Sequence, residues 1–451
     1  MASSSGRPST GAGETCVKFL FLCFALAALP FASTAQEQES WWNAHFQTTY
    51  VWQRKPSFAA PYSGPNSLSG APEKSYSFTG TAAFGLRLGS STEAYFDPEV
   101  AQGVPFSGLA GLASFPNGEL AKTSGSTPTF YKARLFVRQT FNLGGDSTAV
   151  ESSTNQLAAN YDARRLVLTV GSMSVPDLFD ANSFAHDPRT QFMNWVLMTH
   201  GAYDYAADAR GYTNGVALEY LDNGWAVRAG RFAQPREPNQ LKLDGRLGRH
   251  YGDQLELERS YQVGTQSGVV RLLAFRSRAV MATYDDALAA AGSAGGVPDL
   301  NGARSSEHTK VGFGVDVEHK FGTDVGLFAR AMRADGRTET YAFTEVDRSL
   351  SAGLVLRGAA WARPEDTFGL AASANFLSAS HRAYLEQGGI GPFLGDGALS
   401  YRAERLLEAY YSLSLYKGAI LTADYQHIAN PGYNAARGPT SFYGLRLHWE
   451  N

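Results

Sequence analysis

The residues best suited to chemistry lie between positions 87 and 138. Glu93, Asp97 and Glu99 share one alternation register with Tyr95, while Ala94 and Phe96 take the opposite one. Arg87 precedes them, and Arg134 and Arg138 follow. A Gly- and Pro-containing stretch from Val100 to Pro128 carries Asn117 and Glu119. Spacing by two puts side chains on one face of a β-strand, so acids and bases approach one space from neighbouring strands and from a loop long enough to fold inside. Opposed charges across a narrow passage order water, replace a solute's hydration and set ion preference. The bland alternative is a set of solvated charges that stabilise an inner wall. A second cluster runs from Phe179 to Asp204 and holds Arg189, Gln191, Asn194, Trp195 and Tyr203. It is poorly periodic, as either a folded-in loop or an external one would be.

Bond-making chemistry finds no support. The nine histidines are scattered from His45 to His448, without a His-Glu-x-x-His pair or a Cys/His ligand set. Gly312-Phe313-Gly314 lies within an alternating segment and not at a strand-to-helix turn, so no phosphate loop is implied. No cofactor and no metal are expected. A formal net charge of −3 argues against a nucleic-acid partner. Disorder is excluded by 44% hydrophobic and 12% aromatic residues.

The elements that must position these groups alternate with period two and are punctuated by Gly, Asn and Asp. Tyr76, Phe78, Ala82, Phe84, Leu86 and Leu88 share a side opposite Ser75, Ser77, Thr79, Thr81 and Arg87. Tyr131, Ala133, Leu135 and Val137 are expected to face lipid, with Lys132, Arg134 and Arg138 inward. Val216 to Tyr220 and Trp225 to Ala229 flank Asp222-Asn223-Gly224, whose Asn-Gly pair suits a tight hairpin turn. Similar hairpins surround Phe321 to Asp324 and Lys417-Gly418. A soluble sandwich alternates too. However, segments of about 9–12 residues match a tilted membrane-crossing strand, aromatic residues cluster near segment ends, and Asp, Glu, Arg and Gln deep within strands suit a wet lumen. The predicted fold is therefore all-β: a transmembrane antiparallel β-barrel of sixteen strands with an inward-folded constriction loop. Ser153 to Asn160 stays unplaced, and Asp285 to Arg304 reads as a mobile external loop.

Residues 1–35 are predicted to be a secretion signal: Arg7 and Lys18 are basic, an apolar run reaches Pro30, and Ser33-Thr34-Ala35 ends in small residues. Residues 36–451 then form the barrel. Both cysteines, Cys16 and Cys23, fall in the leader, and a lipoprotein reading at Cys23 is opposed by Leu22 before it. An exported chain without disulfides needs another constraint, which a closed hydrogen-bonded sheet supplies.

Several motifs are specific. They include Trp42-Asn43-x-His45-Phe46-Gln47-Thr48-Thr49-Tyr50, Pro61 to Leu68, Asp97-Pro98-Glu99, Phe115-Pro116-Asn117-Gly118-Glu119, Asp177-Leu178-Phe179-Asp180, Glu408-Ala409-Tyr410-Tyr411 and Ile428 to Asn434. Over essentially the whole of residues 36–451 the chain resembles the OprB-type carbohydrate-selective porins. The resemblance implies a sixteen-stranded, monomeric channel of the bacterial outer membrane that passes glucose-like sugars down their gradient without cofactor or energy coupling. It carries Asp97, Glu99, Asn117 and Glu119 over as positions that line or shape the constriction. Arg87, Glu93, Arg134 and Arg138 are added from alternation, and Trp195 from the second cluster. The last segment, Phe442 to Trp449, resembles the closing-strand signal read by the outer-membrane assembly machinery, although the chain ends Trp449-Glu450-Asn451. Expected partners are therefore a sugar, outer-membrane lipid and that machinery. The rival functions are a general, weakly cation-preferring porin and an outer-membrane enzyme or structural barrel.

Overall fold

Alternation in the sequence becomes alternation in burial. In the computed structural model, which describes residues 40–120, 125–343 and 345–451, Tyr443, Leu445, Leu447 and Trp449 point outward on the last strand while Phe442, Gly444, Arg446 and His448 are buried. The signal expected over residues 1–35 lies outside the described residues. Eighteen strands follow in order among those described: β1 (Trp42–Lys55), β2 (Glu73–Arg87), β3 (Thr92–Val104), β4 (Thr129–Asn142), β5 (Ser147–Val150), β6 (Ala159–Asp162), β7 (Arg165–Met173), β8 (Thr213–Asp222), β9 (Trp225–Ala233), β10 (Tyr251–Val263), β11 (Gln266–Met281), β12 (Ser306–Phe321), β13 (Val325–Ala334), β14 (Arg348–Gly358), β15 (Arg363–Phe376), β16 (Glu404–Tyr416), β17 (Ala419–Ala429) and β18 (Thr440–Glu450). Sixteen of them form one closed antiparallel barrel, and β5 and β6 pair separately. Closure is made by β1 against β18, with Tyr50 opposite Leu447. Each of the sixteen barrel strands therefore has two partners, and the barrel has no open edge.

Local sequence explains the turns. Asn223 and Gly224 join β8 to β9 with φ of 46° and 78°, the paired positive φ that a two-residue hairpin needs and that Asn-Gly tolerates. Short connections of this kind gather at one end, and long ones at the other. Outward positions carry an apolar band that includes Leu135, Val137, Val216, Leu218, Leu255, Leu272, Phe313, Leu407 and Leu445, all substantially exposed. Such a band is a lipid-facing surface. Trp42, Phe141, Trp225, Phe321, Trp361 and Tyr416 are exposed at the short-turn end, where an interfacial aromatic belt belongs. Among the described residues no helix is long and apolar enough to cross a membrane.

Two expectations are corrected. First, the register between β3 and β4 shifts between Asp97 and Pro98, so that Asp97 faces Arg134 while Pro98 faces Lys132. The extra residue, Ala133, is a bulge that reverses the alternation beyond it. Leu135, Val137, Arg134 and Arg138 lie as expected, but Lys132 is exposed outward and the Tyr131 hydroxyl points inward to donate to Glu99. Second, Asp285 to Arg304 is not an unpacked loop. Thr283 caps a helix over Tyr284–Ala294 whose Tyr284, Ala287 and Ala291 are buried, and Tyr284 stacks on His381 at 4.2 Å, interplanar angle 13°. An Ala- and Gly-rich segment gives a weak apolar signal, and its packing depends on a partner helix, Ala379–Glu386, distant in sequence. Ser153 to Asn160, unplaced from the sequence, belongs to the connection between β4 and β7 and takes no part in the barrel; only Ala159 and Asn160 lie in a strand, β6.

Candidate functional site

The inner wall does not surround open water. Residues 174–212, between β7 and β8, pack against inward side chains of strands on the far side of the barrel. Glu408 of β16 accepts from the backbone N–H groups of Met193 (2.6 Å) and Asn194 (3.1 Å). Glu256 of β10 accepts from Asp180 N at 2.7 Å, and Glu318 of β12 from Ser183 N at 2.6 Å. In the complementary sense, Arg446 of β18 donates to the carbonyls of Pro188 and Gln191. Arg330 of β13 donates to the carbonyls of Ala185 and Leu197 and to the Asp180 carboxylate. A segment without regular structure leaves backbone groups that must be satisfied. Carboxyl and guanidinium groups of the wall answer them here.

Shape cooperates with charge. A Cβ on Gly326 of β13 would sit 2.1 Å from the Phe184 ring, so glycine leaves the notch into which this segment reaches. The stretch after β3 joins the packing. Glu404 of β16 accepts from Ser114 N at 2.7 Å and Gly432 N at 2.6 Å. Gly118 N donates to Met193 O, and Trp195 N to Phe115 O. The expectation of a wet lumen therefore fails on the side of β10 to β18, where Glu256, Asp316, Glu408, Gln426 and Arg446 are fully buried. Alternation reports which residues point inward, but it carries no signal for what fills the inside.

What remains is a cavity of about 680 Å³ against β4, β7, β8 and β9. Arg134 and Arg138 border it from β4, and Glu119, Arg189 and Trp195 from the two folded-in segments. Arg189 is held by two carboxylates, with Nη2 to Glu99 at 2.8 Å and Nε to Glu119 at 2.9 Å. Burial works against its charge, and the two carboxylates more than offset that, so its pKa lies well above the ordinary value. Arg134 makes a bidentate pair with Asp177, 2.7 and 2.6 Å, and reaches Asp97 at 3.3 Å. Trp195 packs on Phe343 with centroids 4.5 Å apart and lies nearly parallel to Tyr205. His200, buried beside Arg330, is held down at about 4 by that burial and that charge despite Asp180. It is neutral at pH 7.

The other residues singled out from sequence take supporting positions. Asp97 and Glu99 are buried behind Arg134 and Arg189. Asn117 donates to Ser77 at 2.8 Å and accepts from Glu119 N at 2.9 Å, shaping the turn that presents Glu119. Glu93 lies toward the short-turn end, accepting from the hydroxyls of Tyr95 (2.7 Å) and Tyr161 (2.9 Å), with Arg87 at 3.4 Å. None of these four side chains nor Arg87 borders the cavity. Sequence reasoning missed Arg165, Arg210, Glu219 and Arg228, which do. Alternation on β7, β8 and β9 was available for Arg165, Glu219 and Arg228; Arg210 sits on a loop with no periodic signal. Among the described residues no group of acids, histidines or cysteines is placed to hold a metal ion.

Comparison with known proteins agrees with this architecture. Among curated proteins, none matches by sequence. Among solved structures, the high-pH form of OprB from Pseudomonas putida aligns with TM-score 0.66 at 18% identity, covering 91% of this chain and 94% of that one. The outer-membrane channel DcaP of Acinetobacter baumannii aligns with TM-score 0.52 at 11% identity, covering 91% and 97%. At such identities the likeness is one of fold. The family assignment comes from residues 82–450, which match the carbohydrate-selective porin, OprB family. The chain belongs to that family, and it is accordingly a sugar porin of the bacterial outer membrane, a channel and not an enzyme.

Proposed function

We propose that this porin passes glucose-like monosaccharides down their gradient through the cavity beside β4, β7, β8 and β9. The observation that carries the reading is the meeting of two kinds of surface in one space. The Arg134–Asp177 and Arg189–Glu119 pairs present fixed donors and acceptors, while Trp195 and Tyr205 border the same cavity with aromatic rings. Paired charges exchange hydrogen bonds with hydroxyls in place of water. Aromatic faces accept the apolar C–H face of a pyranose. In this reading Arg134, Arg138, Glu119 and Trp195 touch the solute, whereas Arg87, Glu93, Asp97, Glu99 and Asn117 shape the wall that holds them. The folded-in segments are the constriction.

The general cation-preferring porin is the second reading, and the lining charges do not favour it. Arg134, Arg138, Arg165, Arg189, Arg210 and Arg228 border the cavity, against Glu119, Asp177, Asp187 and Glu219. The experiment that separates the two is a planar-bilayer recording with glucose titrated on one side. Saturable block of the ion current is expected, with no cation-favouring reversal potential in a salt gradient. Unchanged current at all sugar concentrations would remove the sugar-path reading. Outer-membrane lipid on the apolar band, the assembly machinery at β18 and, as the family resemblance implies, a monomeric state are proposed along with it.

A further inference from the structure

We propose that the connection between β4 and β7 supplies a second solute-contacting site, built from Thr154, Asn155 and Gln156, at the short-turn end of the same path. The proposal rests on reading the cavity as the sugar path. Outer-membrane barrels keep short turns on the periplasmic side and long loops outside. Residues 143–164 depart from that pattern, since they form a long connection at the short-turn end. After β5 the chain turns into the mouth of the barrel, and it returns along β6.

The wall fixes this segment as firmly as it fixes the one from the other end. Asn43 Nδ2 donates to Ser152 Oγ and to Gln156 O, both at 2.8 Å. Arg138 donates to Asn155 O at 2.9 Å, and Arg87 to Ala158 O at 2.7 Å. Leu157 is fully buried and its N–H donates to the Tyr95 hydroxyl at 3.0 Å. Glu93 holds Tyr95 and Tyr161 from behind. Thus Arg87 and Glu93, which do not border the cavity, secure a segment that does.

Asn155 is the centre of the site. Its backbone is left-handed, φ 58°, a conformation that asparagine tolerates better than most residues. Its side-chain amide faces the Asp97 carboxylate at 2.9 Å. A carboxylate only accepts, so the nitrogen must point there, and Oδ1 is left as a buried acceptor without a partner. Thr169 Oγ1 on β7, bordering the same cavity, is likewise buried and without one. An oriented acceptor beside guanidinium groups suits the hydroxyl donor of a neutral polyol. A cation would meet Arg134 and Arg138, and an anion would meet a carbonyl oxygen. Asp97 also takes Arg134, which holds Asp177. One chain of contacts therefore joins the segment entering from the short-turn end to the one entering from the long-loop end.

The test is single-channel recording of the full barrel with glucose as the probe. Residues 36–451 contain no cysteine, so a Thr154→Cys variant expressed without residues 1–35 in the final barrel carries one reactive thiol. Asn155→Ala is expected to weaken glucose block about three- to tenfold, the effect of one lost hydrogen bond. A charged thiol reagent added from the short-turn side is expected to reduce the Thr154→Cys current, and glucose to slow that reaction. Block unchanged in Asn155→Ala, or a thiol reaction indifferent to glucose, would mean a water site only and would overturn the proposal while leaving the sugar path intact. Absence of glucose block in the unaltered protein would overturn both. Heat-modifiable gel migration verifies that each variant has closed its barrel.

Discussion

Arg189 shows how a single side chain ties function to stability. It bridges Glu99 on β3 and Glu119 on the loop that follows β3, and all three are almost fully buried. Removing one partner of such a group strands the others, at a cost of about 3–5 kcal/mol. Arg189→Ala is therefore expected to loosen the folded-in segment, raise single-channel conductance and weaken glucose block, with the barrel still closed. Arg189→Lys should fall between, because a point charge cannot match two carboxylates as a planar fork does. A different residue-scale test uses His381, packed on Tyr284 between Asp347 and Glu345. Burial opposes its charge, but Asp347 and Glu345 overcome that and lift it to about 9. A histidine whose folded-state pKa is raised contributes stability that is complete below its unfolded value, near 6.5, and is lost as pH rises through about 9. Amide protection in helix Ala379–Glu386, corrected for intrinsic exchange, should accordingly fall between pH 7 and pH 10. Protection that held steady across that window would show that the ion pair does not anchor the helix.

At the scale of elements, the bulge at Ala133 decides which residues of β4 meet lipid. Leu135 is outward and half-exposed, and Leu135→Arg near the midplane should cost about 2–4 kcal/mol, measured as lost stability in denaturant titration of the reconstituted barrel. Lys132, on the outward side beyond the bulge, should accept leucine with little effect. By contrast, Tyr131→Phe removes a donor from buried Glu99 and should destabilise the barrel. If Lys132→Leu and Leu135→Arg were equally damaging, the register across β3 and β4 would be wrong. The glycine notch in β13 belongs to this scale too. Gly326→Val is expected to push Phe184 out and shift the folded-in segment without unpairing β13, seen as altered conductance at unchanged heat-modifiability.

For the whole molecule, the barrel divides into a filled side and an open side. Loops pack against β10 to β18 through polar side chains of the wall, and an open cavity is left beside β4, β7, β8 and β9. The open side carries more arginines than carboxylates, so the net charge of −3 over the full chain is a poor guide to ion preference. In liposome swelling, neutral hexoses are expected to enter faster than charged solutes of equal size. Equal rates would indicate a general pore.

The sequence alone determined the barrel, its strand number, its membrane and its inward-facing acids and bases, because a period of two is a local property that each strand writes in its own residues. Arg134 and Arg138 were legible for that reason, Glu119 from a family motif, and Trp195 from the aromatic and polar make-up of its aperiodic segment. Tertiary structure alone decided that the interior is largely packed, that Asp97 and Glu99 stand behind arginines, that residues 285–304 include a docked helix, and that residues 151–158 enter from the other end. Those outcomes depend on hydrogen bonds between groups far apart in the chain, 215 residues for Glu408 with Met193 and 58 for Asn155 with Asp97. No local pattern records them, since an aperiodic loop looks the same in sequence whether it covers a pore or fills it.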